Sequence, residues 1–164
     1  MTPTPTGRLV ATALGRDLVL TRTFRAPIAD VWASITEPER TARWIGPWTG
    51  ESGVGRTVTL TLIAEEGAPQ SAVTIDACDP PSRLAVTTVD EHASWRLEAR
   101  LSEARGVTTL EFVHHLAEDV PVGEVGAGWE YYLDRLVASR DDQPMPDFDD
   151  YYPSMKPYFD VQET

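Results

Sequence analysis

Phe24-Arg25-Ala26-Pro27-Ile28-Ala29-Asp30-Val31-Trp32, followed by Thr36-Glu37-Pro38-Glu39-Arg40 and Arg43-Trp44, decides how this chain is read. A run of β-formers from Leu18 to Phe24 stops at Ala26-Pro27. Pro27 can open a helix, because the N–H it lacks has no partner in a first turn anyway. From there Ile28, Val31, Trp32 and Ile35 recur at helical spacing. Pro38 starts a second short helix in the same way, and it ends on a Trp. Helices this brief are not stable by themselves, so they must dock on a larger surface.

The rest of the chain supplies that surface. Thr57-Val58-Thr59-Leu60-Thr61-Leu62-Ile63 alternates polar and apolar residues, as a half-buried strand does. Ala72 to Ala77 reads as the next strand, with Val73 and Ile75 on one side. Asp79-Pro80-Pro81-Ser82 is a turn, Leu84 to Val89 a strand, and Asp90-Glu91-His92 another turn with a solvated His92. Trp95, Leu97, Ala99 and Leu101 then alternate with charged residues, and Arg105-Gly106 turns into a strand from Val107 to Leu116. Short strands joined by tight turns predict an antiparallel meander.

One long helix closes the pattern. Val122, Val125, Trp129, Tyr132, Leu133, Leu136 and Val137 form a single apolar stripe, and Glu130, Asp134, Arg135 and Arg140 are expected to face water. The fold class is therefore α+β, with residues 17–140 as the domain. Residues 1–16 carry no periodicity and read as a loose lead-in. Residues 141–164 form an acidic tail whose five aromatics, from Phe148 onward, are too many for solvent, so the tail is expected to pack on the domain.

The order of strand, Ala26-Pro27, Val31-Trp32, Glu37-Pro38 and Trp44 resembles the start of the SRPBCC (START-like, helix-grip) domains. The resemblance is strongest to the branch named after the activator of the heat-shock protein 90 ATPase. It implies a curved antiparallel sheet wrapped around a long C-terminal helix, with two short helices after the first strand. Such domains typically enclose a small apolar molecule. The superfamily also includes lipid carriers, polyketide cyclases, ring-hydroxylase subunits and chaperone activators, so the fold alone does not assign a function. The iron-binding His spacing of the hydroxylases is absent, so no metal or cofactor is expected.

Three functions follow from the resemblance. One is a non-enzymatic binder of an apolar or aromatic molecule held between sheet and helix. Another is a cyclase- or isomerase-like enzyme using His114, with Tyr132 or Glu111 as further proton carriers. The third is a chaperone or protein-interaction module, with a protein partner or a homodimer. For the binder, the candidate lining residues on the sheet are Leu60, Leu62, Val73, Ile75, Val86, Leu97 and Phe112. On the long helix they are Trp129, Tyr132, Leu133 and Leu136. Trp95 and Trp129 should face each other across the site, with Trp44 and Trp48 flanking a loop at its mouth.

Residue chemistry narrows the choice. His114 and His115 are neighbours on a strand and point to opposite faces, so they cannot share a metal; His114 has the inward parity of Leu110 and Phe112. The glycines of Gly123-Glu124-Val125-Gly126-Ala127-Gly128 lack the Lys and Ser/Thr of a phosphate loop and are read as thinning the helix for a ligand or a close backbone contact. Cys78 is the lone cysteine, read as a small core residue in a reducing compartment. A formal charge of −12 argues against nucleic acid and anionic membrane as partners. With no signal-peptide pattern at the N-terminus and no apolar run of membrane-spanning length, a cytoplasmic protein is expected.

Overall fold

The computed structural model describes residues 2–89 and 94–163; the turn expected at residues 90–92, with His92, lies outside them. Among the described residues, eight strands form one antiparallel sheet. They are β1 (Arg8–Thr12), β2 (Gly15–Phe24), β3 (Trp48–Thr49), β4 (Thr57–Thr61), β5 (Gln70–Asp79), β6 (Arg83–Val89), β7 (Ser94–Ala104) and β8 (Val107–Leu116). Their order is β1-β2-β8-β7-β6-β5-β4-β3, so β8 returns to pair with β2, the strand that enters the helices. Those helices are α1 (Ile28–Thr36) and α2 (Pro38–Thr41); the long α3 (Val122–Arg140) and the short α4 (Lys156–Asp160) follow the sheet.

The punctuation works as the residues dictate. Pro27 sits at the N-cap of α1 with extended backbone, and Pro38 fills the first position of α2. The sheet's inner face carries Leu18, Leu20 and Phe24 from β2 and Leu110 from β8, all buried against α3 residues Val122, Leu133 and Leu136. At Gly46 (φ +150°) the chain leaving α2 crosses β4 so closely that a Cβ would lie 1.6 Å from the Thr61 carbonyl oxygen. No other residue fits there. In β5 the register shifts between Ile75 and Ala77, which turns Cys78 rather than Ala77 to the inner face. Among the described residues, no helix is long and apolar enough to cross a membrane.

Two expectations are corrected, one at the N-terminus and one along α3. The stretch expected as a loose lead-in contains β1, which extends the sheet along β2 from Arg8↔Val19 to Thr12↔Gly15. The α3 residues expected to face water are engaged. Glu130 is 1% exposed and accepts hydrogen bonds from the Thr6 and Gly7 amides and from Arg22. Asp134 binds Arg22 and Tyr151, Arg135 donates to the Trp44 carbonyl, and Arg140 grips Asp30. The N-terminal segment covers Glu130, the tail reaches Asp134, and the α1–α2 region engages Arg135 and Arg140. A helical wheel cannot register partners so distant in sequence.

Two of the α3 glycines, Gly123 and Gly126, make room for that cover. Phe159 of α4 is fully buried between α3 and the N-terminal segment; a Cβ at Gly126 would lie 2.7 Å from its ring, as would one at Gly7. A Cβ at Gly123 would meet Asp160 and Lys156 at 2.6 Å, whereas one at Gly128 meets nothing within 4 Å. Gly→Ala in a helix interior gains up to ~1 kcal/mol of propensity. Gly128→Ala should keep that gain. Gly126→Ala should instead lose about 1–3 kcal/mol through overpacking. Urea denaturation of both variants checks the contrast, and combining Gly126→Ala with Phe159→Ala should remove the penalty.

Candidate ligand cavity

Between the inner face of the sheet and α1, α2 and α3 lies a cavity of about 330 Å³. That is the lower part of the range for small-molecule sites. Of the residues expected to line it, Leu60, Val73, Ile75, Val86, Leu97 and Phe112 do so from the sheet. Trp129 and Leu133 contribute from α3, and Trp44 and Trp48 from the segment after α2.

Five expected residues are placed elsewhere. Leu136 of α3 is fully buried in the core and is not among the residues that line the cavity. Leu62 follows the end of β4 and donates its amide to the Pro69 carbonyl. Tyr132 turns its hydroxyl out to donate to Glu65 at 2.6 Å, so burial and that carboxylate push the phenol well above its usual range. Trp95 covers His114, ring centroids 4.9 Å apart, and meets Trp129 edge-on at 6.2 Å. His114 itself is 1% exposed, outside the lining.

Sequence reasoning missed the contribution of α1. Trp32, Ile35 and Thr36 close the cavity on one side, and Thr41 and Ile45 continue that wall. The helical spacing marked Trp32 and Ile35 as buried, but not whether they meet a core or a hollow. Cys78, Leu84 and Ala99 also line it, the first because of the bulge in β5. Glu111, weighed as a proton carrier, lies on the outer face and accepts from Arg100 at 3.2 Å.

The wall is largely apolar, and most of its polar groups are engaged by the protein. Trp44 donates its indole N–H to the Ser34 carbonyl at 2.8 Å, and Trp48 donates to the Thr36 carbonyl at 3.0 Å. Trp129 donates to His114 Nδ1 at 3.1 Å. All three therefore spend their polar atom on the protein and show the cavity hydrocarbon and ring faces. Thr36 and Thr41 donate their hydroxyls to the carbonyls of Trp32 and Pro38. Glu98 reaches the lining, yet its carboxylate binds Arg83, Arg100 and His115, which holds its pKa down at about 2. No free cation among the described residues lines the cavity.

His114 is the exception nearby. Burial, assisted by His115, lowers its pKa to about 4, and its Nε2 has no partner among the described residues. With Nδ1 accepting from Trp129, the neutral ring carries its proton on Nε2. The Trp129–His114 bond joins α3 to β8 at the edge of the cavity.

Solved structures share this architecture. CalU16 from Micromonospora echinospora superposes with a TM-score of 0.77 at 26% identity, covering 97% of this chain and 96% of its own. EF2215 from Enterococcus faecalis, a conserved protein of unknown function, gives 0.74 at 22% identity, covering 97% and 90%. DynU16, from the dynemicin biosynthetic locus, gives 0.69 at 20% identity, covering 80% of this chain and 50% of its own. The latter two, at this identity, speak to the fold alone. Among curated proteins no relative matches. The family model for the activator of Hsp90 ATPase homolog 1-like protein matches residues 25–139, which hold α1, α2, the meander and nearly all of α3; the chain belongs to that family, within the SRPBCC superfamily.

Proposed function

We propose that this protein is a non-catalytic binder of a neutral, apolar, flat aromatic molecule. The observation that carries this reading is a cavity of about 330 Å³ walled mainly by aliphatic and aromatic side chains, in which Trp44, Trp48 and Trp129 spend their indole N–H groups on protein acceptors and, among the described residues, no Arg or Lys takes part in the lining. A ligand anion would enter without a cationic counter-ion and lose much of its hydration uncompensated. Aromatic rings, by contrast, find Trp32, Trp44, Phe112 and Trp129 to pack on. The lone Cys78 and the family's general habit of binding small hydrophobic ligands agree with a cytoplasmic carrier.

Two other readings are less well supported. A cyclase- or isomerase-like enzyme would use His114, yet that imidazole is outside the lining and tied to Trp129. A chaperone or protein-interaction module needs no internal hollow, and this domain has one.

The test is a matched pair of probes. Pyrene should quench the Trp fluorescence on titration, whereas pyrene-1-carboxylate should bind at least about tenfold more weakly, for want of a partner for its charge. Val86→Trp, which fills the hollow, should abolish pyrene binding while circular dichroism stays unchanged. Equal affinity for both probes would refute the neutral-ligand reading, and unchanged binding by Val86→Trp would move the site elsewhere.

A further inference from the structure

A second recess, of about 180 Å³, uses the other face of α1. It is lined by Asp30 and Ser34 of α1, Arg40 and Arg43 around α2, and Ser139 and Arg140 at the end of α3. Across the chain acidic residues outnumber basic ones 26 to 14. Here three guanidiniums share the recess with one carboxylate, so the local balance runs against that of the molecule.

The three arginines are not equally occupied. Arg140 is held by Asp30 Oδ2 at 2.6 Å and Ser34 Oγ at 2.7 Å, and is mostly buried. Arg40 gives Nη1 to Asp30 Oδ1 at 3.2 Å and meets Glu37, on the rim, at 3.5 Å through Nε. Its Nη2 donors remain. The Arg43 side chain makes no hydrogen bond or ion pair among the described residues, although it borders the recess. Arg140 and Arg40 together hold the Asp30 carboxyl below its usual range, so Asp30 stays ionised and fixes both guanidiniums in place. Ser139 Oγ donates to the Leu136 carbonyl at 2.8 Å, and the residue also lines the recess.

The geometry points to an oxyanion site here, built for a phosphate group. Arg43 supplies a free guanidinium fork, which matches two phosphate oxygens. Arg40 adds its free edge from the same side, and Arg140 faces them from α3. Ser139 can accept a hydrogen bond from a P–OH. The α3 C-terminus presents the negative end of the helix dipole to this corner, and Arg140 offsets it. The site is separate from the apolar cavity, and its standing does not depend on the cavity reading.

Isothermal titration of the full chain with inorganic phosphate, against sodium chloride at equal ionic strength, tests the proposal. Saturable binding to phosphate is expected, weakened at least about tenfold in Arg43→Gln by loss of the bidentate contact. Arg43 is exposed and unpartnered, so this variant should keep the wild-type circular dichroism and melting temperature. A parallel titration with methyl phosphate separates the sources. Affinity equal to that of phosphate identifies the head group of a monoester, and weaker affinity identifies free phosphate; both uphold the site. No saturable heat above the chloride control, or equal affinity in wild type and Arg43→Gln, overturns it.

Discussion

Replacing Glu130 by alanine should cost about 3–5 kcal/mol of folding stability, the usual penalty for breaking a buried ion pair from one side. The carboxylate is 1% exposed and accepts from Arg22 Nη2 at 2.8 Å, Gly7 N at 2.8 Å, Thr6 Oγ1 at 2.9 Å and the Thr6 amide. Its removal strands two backbone N–H groups and leaves the largely buried Arg22 with Asp134, at 3.1 Å, as its remaining carboxylate. That residual pairing places the expected loss toward the lower end of the range. Glu130→Gln keeps the shape and one acceptor oxygen and should lose roughly half as much. Urea denaturation measures both. Hydrogen exchange adds a local readout, since the amides of Thr6 and Gly7 should lose protection in Glu130→Ala. A loss below about 1 kcal/mol would mean that β1–β2 pairing alone anchors the N-terminal segment.

Legibility in the sequence followed the range of the interactions concerned. Residues 24–44 announced α1 and α2 because Pro27, Pro38 and the spacing of Ile28, Val31, Trp32 and Ile35 are local signals. The meander was legible because alternation has a period of two and is written on each strand separately. Its cavity face was mostly legible for the same reason, and Leu60, Val73, Val86, Leu97 and Phe112 line the hollow. Parity failed where the ladder broke. The irregularity after Ile75 brings Cys78 into the lining, and no residue in that strand signals it.

Along α3 the apolar stripe was legible and the polar face was not. Glu130 looks like a solvated helix residue until Thr6 and Gly7, more than 120 positions away, are laid over it. The same holds for the glycines. Gly126 and Gly7 carry no mark of a shared neighbour, yet Phe159 occupies the space both leave. Trp95 and Tyr132 were placed in the cavity on the strength of their element, and each found a partner instead, in His114 and Glu65.

His114 should make the protein's stability pH-dependent across a defined window. Burial holds its folded-state pKa at about 4, against an ordinary value of 6.5. Below pH 6.5 the unfolded chain takes up a proton that the folded chain refuses until about pH 4, so stability falls as pH drops through that interval and levels off below it. Above pH 6.5 the group is neutral in both states and contributes no slope. The full difference amounts to about 3 kcal/mol, taking ~1.4 kcal/mol for each pKa unit. Asp17 opposes the shift slightly, through the charge it places near the ring. His114→Gln isolates the effect, because glutamine still offers Trp129 Nε1 an acceptor but cannot titrate in this range. Urea denaturation at half-unit steps from pH 7.5 to 4 should show the wild type losing stability faster than the variant. Parallel curves would mean that the folded chain hydrates or pairs the imidazolium, which requires the ring to leave its place between Trp95 and Trp129.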